Sequence, residues 1–360
     1  MRSPAAWCTG SPAACRRPPE RGPIIRALLT LLRWIGRLLL WLLIALTAAL
    51  VGMALWYQLP LPPIAVKIAI GAWGLFALGV LFLDITRRSW IVRGVYGLAL
   101  IAALLWWTSI KPSFDHEWAP DVAHIVTGTR DGDIVTLTNV RNFDWQTETQ
   151  FTPRWETRSY DLSKIESVDL FLSYWAGPAI AHTLVSFGFE DGQHVVFSAE
   201  IRKEKGESFS SIGGFFKEFD LALIAADERD IIRLRTNIRG EDVYLYPVHM
   251  PKAGMRELFL SYLDTGNHLA EVPTFYNTVT TNCTTVVFRL LRALDPALPF
   301  DYRILLSGYL PSYIYQNQGF KSGLSEAEFR RRAAISALGI AAGDSENFSQ
   351  AIRVNSLPSR

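Results

Sequence analysis

Three long apolar stretches, all within the first 110 residues of a 360-residue chain, decide the medium in which this protein folds. The first covers residues 38–57 without a charge. The second, 62–83, has Lys67 near one end, and the third, 90–108, has Arg93 near its start. Each is long enough to cross a hydrocarbon core of roughly 30 Å as a helix. A lysine near a span end can snorkel to the headgroups. Trp56, Tyr57, Trp106 and Trp107 stand at span ends, where interfacial aromatics belong.

The basic residues set the orientation. Arg16, Arg17, Arg21, Arg26, Arg33 and Arg37 precede the first span; Arg87, Arg88 and Arg93 follow the second; the loop at Gln58, Leu59 and Pro60 has none. The positive-inside rule then predicts a cytoplasmic basic tail over residues 1–34, a three-helix transmembrane anchor over 35–110, and all that follows on the outer face. In a bacterium this is a multi-pass inner-membrane protein with a periplasmic domain over 111–340 and a polar, disordered tail over 341–360. The competing reading of the first span is a cleaved signal peptide. The long Arg-rich lead, the lack of a clear small-residue cleavage site and the two further spans argue against it. As bounded, no span holds an acid, so no proton or ion pathway is predicted.

Charge divides the chain at the same place. Residues 1–110 carry 11 basic residues against Glu20 and Asp84, and the remainder carries 25 basic against 32 acidic. A mildly acidic domain without a basic stripe is not a nucleic-acid binder. Its length suffices for a normal core. Of three cysteines, Cys8 and Cys15 lie in the tail, leaving Cys283 alone in the soluble part. That domain has no internal disulfide, and a lone thiol facing an oxidising compartment is either buried and inert or kept for chemistry.

Patterning predicts an α+β domain. Residues 182–189 and 194–201 read as a hairpin about Asp191-Gly192. Strands are expected at 134–137, 230–237 and 242–248. Helices are expected at 208–223, 252–267, 284–294 and 325–338.

The sharpest local feature is Tyr276-Asn277-Thr278-Val279-Thr280-Thr281-Asn282-Cys283-Thr284-Thr285, leading into a helix. Thr281 or Asn282 is a good N-cap, which puts Cys283 in the first turn. There the helix dipole and unpaired N–H groups favour a thiolate, and neighbouring N–H groups could hold an oxyanion. The plain alternative is a buried cysteine acting as a small hydrophobe. A nucleophilic cysteine needs a base, usually histidine, and the domain offers His116, His124, His182, His194, His249 and His268. Spacing alone does not show which of them meets Cys283. No Cys/His spacing supports a zinc site, and no metal or cofactor is predicted.

Several stretches, in order, resemble the Lnb N-terminal periplasmic domain family. They are Val140-Arg141-Asn142-Phe143-Asp144-Trp145; Tyr174 through Thr183 with His182 inside it; Ser198-Ala199-Glu200-Ile201-Arg202; and Tyr276-Asn277 through Asn282-Cys283-Thr284. The resemblance covers roughly residues 139–294. It implies a permuted papain-like (NlpC-type) thiol fold, in which the histidine precedes the cysteine, and a relation to lipoprotein N-acyltransferase. Cys283 is then the nucleophile and His182 the base.

A third polar group should orient the imidazole, and Glu200 is the candidate, with Ser198 behind it. Register decides this: a two-residue turn at Asp191-Gly192 puts Glu200 on the opposite face, and a one-residue bulge brings it alongside His182. Arg202 is a candidate for a lipid phosphate or for pairing with an acid. Tyr276, Asn277 and Asn282 are candidates to line or cap the site. The expected activity is thiol-dependent acyl transfer on lipid or lipoprotein esters, with membrane lipids and lipoproteins as partners. The alternatives are a papain-like cell-wall amidase or peptidase, and a non-catalytic envelope assembly protein.

Overall fold

The computed structural model describes residues 23–175, 177–317 and 324–354. Cys8, Cys15, Ala176 and the last six residues lie outside this range, as does most of the predicted basic tail. The chain divides into two compact units, Met1–Ile110 and Lys111–Arg360.

The first unit is three helices, α1 (Pro23–Gln58), α2 (Pro63–Arg87) and α3 (Trp90–Ser109), each long and apolar enough to cross a membrane. Pro63 opens α2 without loss, because the first N–H of a helix has no internal partner. Two bounds differ from expectation. α1 starts inside the predicted tail, and α2 runs past residue 83, so Asp84 belongs to a helix after all. Its carboxylate accepts from Trp41 Nε1 at 3.0 Å and Arg93 Nε at 2.6 Å, so one acid ties the three helices together. Buried acids in membrane helices persist when paired in this way.

The second unit is built on one sheet. Its strands are β1 (Thr127–Asp131), β2 (Ile134–Arg141), β5 (Trp155–Asp161), β6 (Ile165–Tyr174), β7 (Ala181–Phe189), β8 (His194–Arg202), β9 (Asp220–Ala226) and β10 (Asp242–Pro247); β3 (Asp144–Trp145) and β4 (Phe151–Thr152) pair separately. The order is β1-β2-β9-β8-β7-β6-β10, with β5 also on β2. The β2–β9 pair is parallel and the other pairs are antiparallel. Helices α4 (Glu228–Arg233), α5 (Lys252–Glu271), α6 (Cys283–Leu294), α7 (Leu310–Asn317), α8 (Glu326–Ala333), α9 (Ser336–Ala342) and α10 (Phe348–Ala351) complete an α+β fold.

Side chains alternate across the sheet, and the two faces carry different chemistry. Phe187 and Phe197 point at α5, where Phe197 stacks on Tyr262 at 4.7 Å and Phe187 meets Phe259 edge to face at 5.1 Å. Ser186, next in the strand, donates instead to Glu228 of α4 at 2.6 Å. The Val140–Trp145 motif folds around another buried acid. Asp230 accepts from Arg141 Nε and Nη2, from the Phe143 N–H and from Trp145 Nε1, at 2.7–3.1 Å.

Three sequence expectations are corrected. Residues 208–223 are not a helix: Gly213 and Gly214 interrupt them, and they lead through a 3₁₀ turn into β9. Every residue of β9 is buried, and an apolar run covered on both faces has no alternation to mark it as a strand. Residues 230–237 are not a strand, because the Asp227 side chain caps α4 by accepting from the Arg229 N–H. A π-helical turn, Leu234–Ile238, continues that helix. The tail beyond Ala342 is ordered as far as Val354: Phe348 and Ile352 are in the core, and Arg353 binds Asp169 and Glu228.

Candidate active site

Asn282 makes the local geometry. Its Oδ1 accepts from the Thr284 and Thr285 N–H groups at 3.0 and 2.9 Å, and Thr285 Oγ1 accepts from the Asn282 N–H at 2.8 Å. This is a complete capping box, and it fixes Cys283 as the first residue of α6. The cap also narrows the expected oxyanion donors. The N–H groups of Thr284 and Thr285 are taken by Asn282, while that of Cys283 stays outside the cap.

The histidine arrives from the hairpin. Phe189 and Gln193 pair by a backbone bond of 3.0 Å, so the loop has three residues, ending on Gly192 in the left-handed region (φ 84°). That geometry is a type I turn with a glycine bulge. The resulting register runs Gly188↔His194 to Leu184↔Ser198, and two residues further on it brings Glu200 opposite His182. This is the bulged alternative. A two-residue turn would have turned Glu200 to the other face.

The side chains form a relay. His182 Nε2 lies 2.7 Å from Ser198 Oγ and 3.1 Å from Glu200 Oε1, and Ser198 Oγ donates to the same Oε1 at 2.7 Å. With Nε2 facing the carboxylate, Nδ1 is left for the thiol. Alternation puts Thr183 on the α6 side, where its hydroxyl meets that of Thr284 at 2.8 Å. Cys283 Sγ lies 3.8 Å from that Thr284 hydroxyl, within electrostatic reach of His182 and the Thr183 N–H.

Electrostatics follow from this grouping. Burial alone would raise the thiol, but His182, the Thr183 N–H and the Thr284 hydroxyl outweigh it, and the Cys283 pKa falls below its ordinary value. Burial alone would lower the imidazole, but Glu200 and the sulfur reverse this and push His182 up to about 9. Burial opposes the charge of Glu200, yet His182, Arg235 and Ser198 hold its carboxyl well below the usual range. Opposite shifts in a thiol and its neighbouring imidazole favour a thiolate–imidazolium pair.

Cys283, His182, Glu200, Tyr276 and Asn282 all line one cavity of about 1060 Å³. Two other candidates are not brought to it. Arg202 donates to the carbonyls of Val122 and Ala123 and lies 4.4 Å over the Trp118 ring. Asn277 closes a turn, its Oδ1 accepting from the N–H groups of Val279 and Thr280. Asn282 lines the cavity with a side chain already spent on the cap and on the Thr278 carbonyl.

Arg235 is the residue that sequence reasoning missed. It sits in the π-helical turn, almost wholly buried, and gives Nη2 to Glu200 Oε1 at 3.1 Å. Its alternating surroundings, Ile231-Ile232-Arg233-Leu234-Arg235, read as a strand with outward-facing charges. The only contrary signal was the Asp227 cap.

Fold and site together define a class: an α+β domain that gathers a thiol, an imidazole and a carboxylate at a cavity, on a chain with three membrane-length helices. Residues 151–308 match the model of the Lnb N-terminal periplasmic domain. The match lies wholly within the soluble unit, and the family it supports is a periplasmic domain of Lnb proteins. No curated protein and no solved structure matches the chain.

Proposed function

We propose that this protein is a membrane-anchored periplasmic acyltransferase that works through a thioester on Cys283. The observation that carries this reading is the arrangement of Cys283, His182 and Glu200 around one cavity, with the thiol lowered and the imidazole raised. The thiol proton passes to His182 Nδ1, and the thiolate attacks an ester carbonyl carbon. A C–S bond forms, and the oxyanion is held by donors that include the Cys283 N–H. Collapse breaks the C–O bond, and the leaving alcohol takes its proton from His182. An acceptor amine then attacks the thioester. A C–N bond forms, the C–S bond breaks, and the amine's proton goes by way of His182 to restore the resting pair.

Glu200 orients the ring and stabilises its protonated form. Ser198 and Arg235 hold Glu200 in place. The positive-inside pattern supports an N-terminus in the cytoplasm and a multi-pass inner-membrane location. A membrane-bound domain also supports lipid or lipoprotein esters as substrates over distant cell-wall peptides. The test is mass spectrometry of lipoprotein N-termini from cells with and without the gene, and with Cys283→Ala. A change in N-terminal acylation that needs the thiol is expected. Identical profiles in all three strains, together with a thiol inert to iodoacetamide at neutral pH, would sink the proposal.

A further inference from the structure

We propose that the mouth of the Cys283 cavity enters the surface of the lipid bilayer through an apolar rim built from three loops. The contact does not depend on the chemistry of Cys283. The use made of it, drawing an ester from the bilayer itself, rests on the reading above.

The rim consists of large apolar side chains left in the open. Trp175, Ile180, Phe209 and Leu305 line the cavity and are 37–47% exposed; Ile212 and Phe215, on the same loop as Phe209, are 55% and 47% exposed. They come from Trp175, from residues 177–180, and from residues 205–219 and 300–309. Those loops are held to one another. Trp175 meets Phe209 edge to face at 6.1 Å. Tyr174 Oη donates to the Gly308 carbonyl at 2.7 Å, and Ser307 Oγ accepts from the Ala181 N–H at 2.9 Å. The 205–219 loop is tied to the approach to Cys283 by a bond from Thr278 Oγ1 to the Ser211 carbonyl. A firm, exposed apolar rim around a polar cavity marks an interaction surface and not a random scatter.

The chain itself names the occupant. Residues 117–119, which lead in from the third membrane-length helix, pair with 203–205 at the root of the Phe209 loop. Ala119 N–H donates to the Lys203 carbonyl at 3.0 Å and Lys205 N–H to the Glu117 carbonyl at 2.7 Å. His116 already pairs with Glu204 at 2.7 Å, so at most residues 110–115 remain as tether, a reach of about 20 Å fully extended. The length of such a tether limits how far the root of the loop can stand from the end of the third helix. The composition fits a headgroup boundary, with Trp175 and Phe209 on the rim and Lys205 at the root of the Phe209 loop.

The test uses the full chain with Cys8, Cys15 and Cys283 all changed to Ser. Phe209→Cys or Phe215→Cys then carries an environment-sensitive fluorophore, and the protein is reconstituted in vesicles of phosphatidylglycerol and phosphatidylcholine. Asp191→Cys, in the turn at the other end of β7 and β8, is the control. Nitroxide-bearing lipid is expected to quench labels at 209 and 215 and to leave the 191 label unchanged. Equal quenching at all three sites, or none at 209 and 215, overturns the proposal. Alkylation of Cys283 in the unaltered chain is measured separately. An inert thiol beside quenched rim labels would sink the catalytic reading alone, and a reactive thiol beside unquenched labels would sink this inference alone.

Discussion

The arginine–carboxylate clusters of Arg353 and of Arg235, both in the soluble unit, differ in completeness. At the C-terminus, Arg353 gives Nη1 and Nη2 to the two oxygens of Glu228 at 2.7 and 2.6 Å, and Nε and Nη2 to Asp169 at 3.1 and 2.8 Å. Ser186 completes Glu228, and both carboxylates of this latch are buried. At the cavity, Arg235 makes one contact to Glu200 and leaves its Nε buried without a partner among the described residues. Bidentate pairing spends all the charge on geometry. A carboxylate that its arginine holds by one bond keeps capacity for a neighbour that changes its protonation, and His182 is that neighbour. The first cluster holds the tail down; the second is arranged to respond to a proton.

The largest effect separates the two at once. Cys283→Ser should lower acyl-thioester formation by about 10⁴-fold or more, as loss of a nucleophile does, with the thermal midpoint of the full chain nearly unmoved. The measurement is hydroxylamine-sensitive label on the protein, followed beside its melting curve. A serine variant that still forms the adduct would place the chemistry elsewhere.

Next in size is the latch. Arg353→Met leaves Glu228 and Asp169 buried without their partner, which should cost about 3–5 kcal/mol. Denaturation of the full chain in detergent reads this. The surviving folded fraction should alkylate at Cys283 at the normal rate. If stability hardly changes while reactivity falls, the roles of the two clusters are reversed.

How much of this could be read beforehand differs by residue. The capped cysteine was legible, because Asn282 and the Thr/Asn run before a helix constrain local geometry directly. The three apolar spans were legible for the same reason, their length being a local property. Glu200 was legible only as a choice between registers, since one residue of loop length flips a whole strand; Gly192 in the left-handed region makes the choice. Arg235 and Asp230 were not legible. Their partners, Glu200 and Arg141, are 35 and 89 residues away in sequence, and the alternating pattern around them imitates a strand. The ordered tail was missed likewise: Arg353 reads as a surface charge until Asp169 and Glu228, far back in the chain, are seen to receive it.

Glu200→Gln acts on the open cluster with a smaller effect, roughly 10²-fold in rate, typical of a supporting acid–base group. Its pH signature is the sharper readout. Glu200 raises His182, and the imidazolium lowers Cys283. Neutralising Glu200 should lower the His182 pKa and raise that of the thiol. The acid limb of iodoacetamide reactivity then moves to higher pH, toward an ordinary thiol, and the basic limb set by His182 at about 9 moves down. A profile that loses height without moving would make Glu200 a packing residue.

The smallest effect tests which partner lowers the thiol. Asn282→Ala removes the cap and leaves two N–H groups of α6 unpaired, which should cost about 1 kcal/mol. If the helix start were the main support of the thiolate, losing its order would shift the acid limb as far as Glu200→Gln does. The grouping at the cavity argues otherwise, because the charge on His182 is the largest influence lowering the thiol while the cap's N–H groups face Asn282. The expected result is therefore a lower melting midpoint with an unmoved acid limb. Equal shifts in the two variants would mean that the helix, and not the His182–Glu200 pair, prepares Cys283, and the contrast between a closed latch and a proton-responsive cluster would lose its chemical meaning.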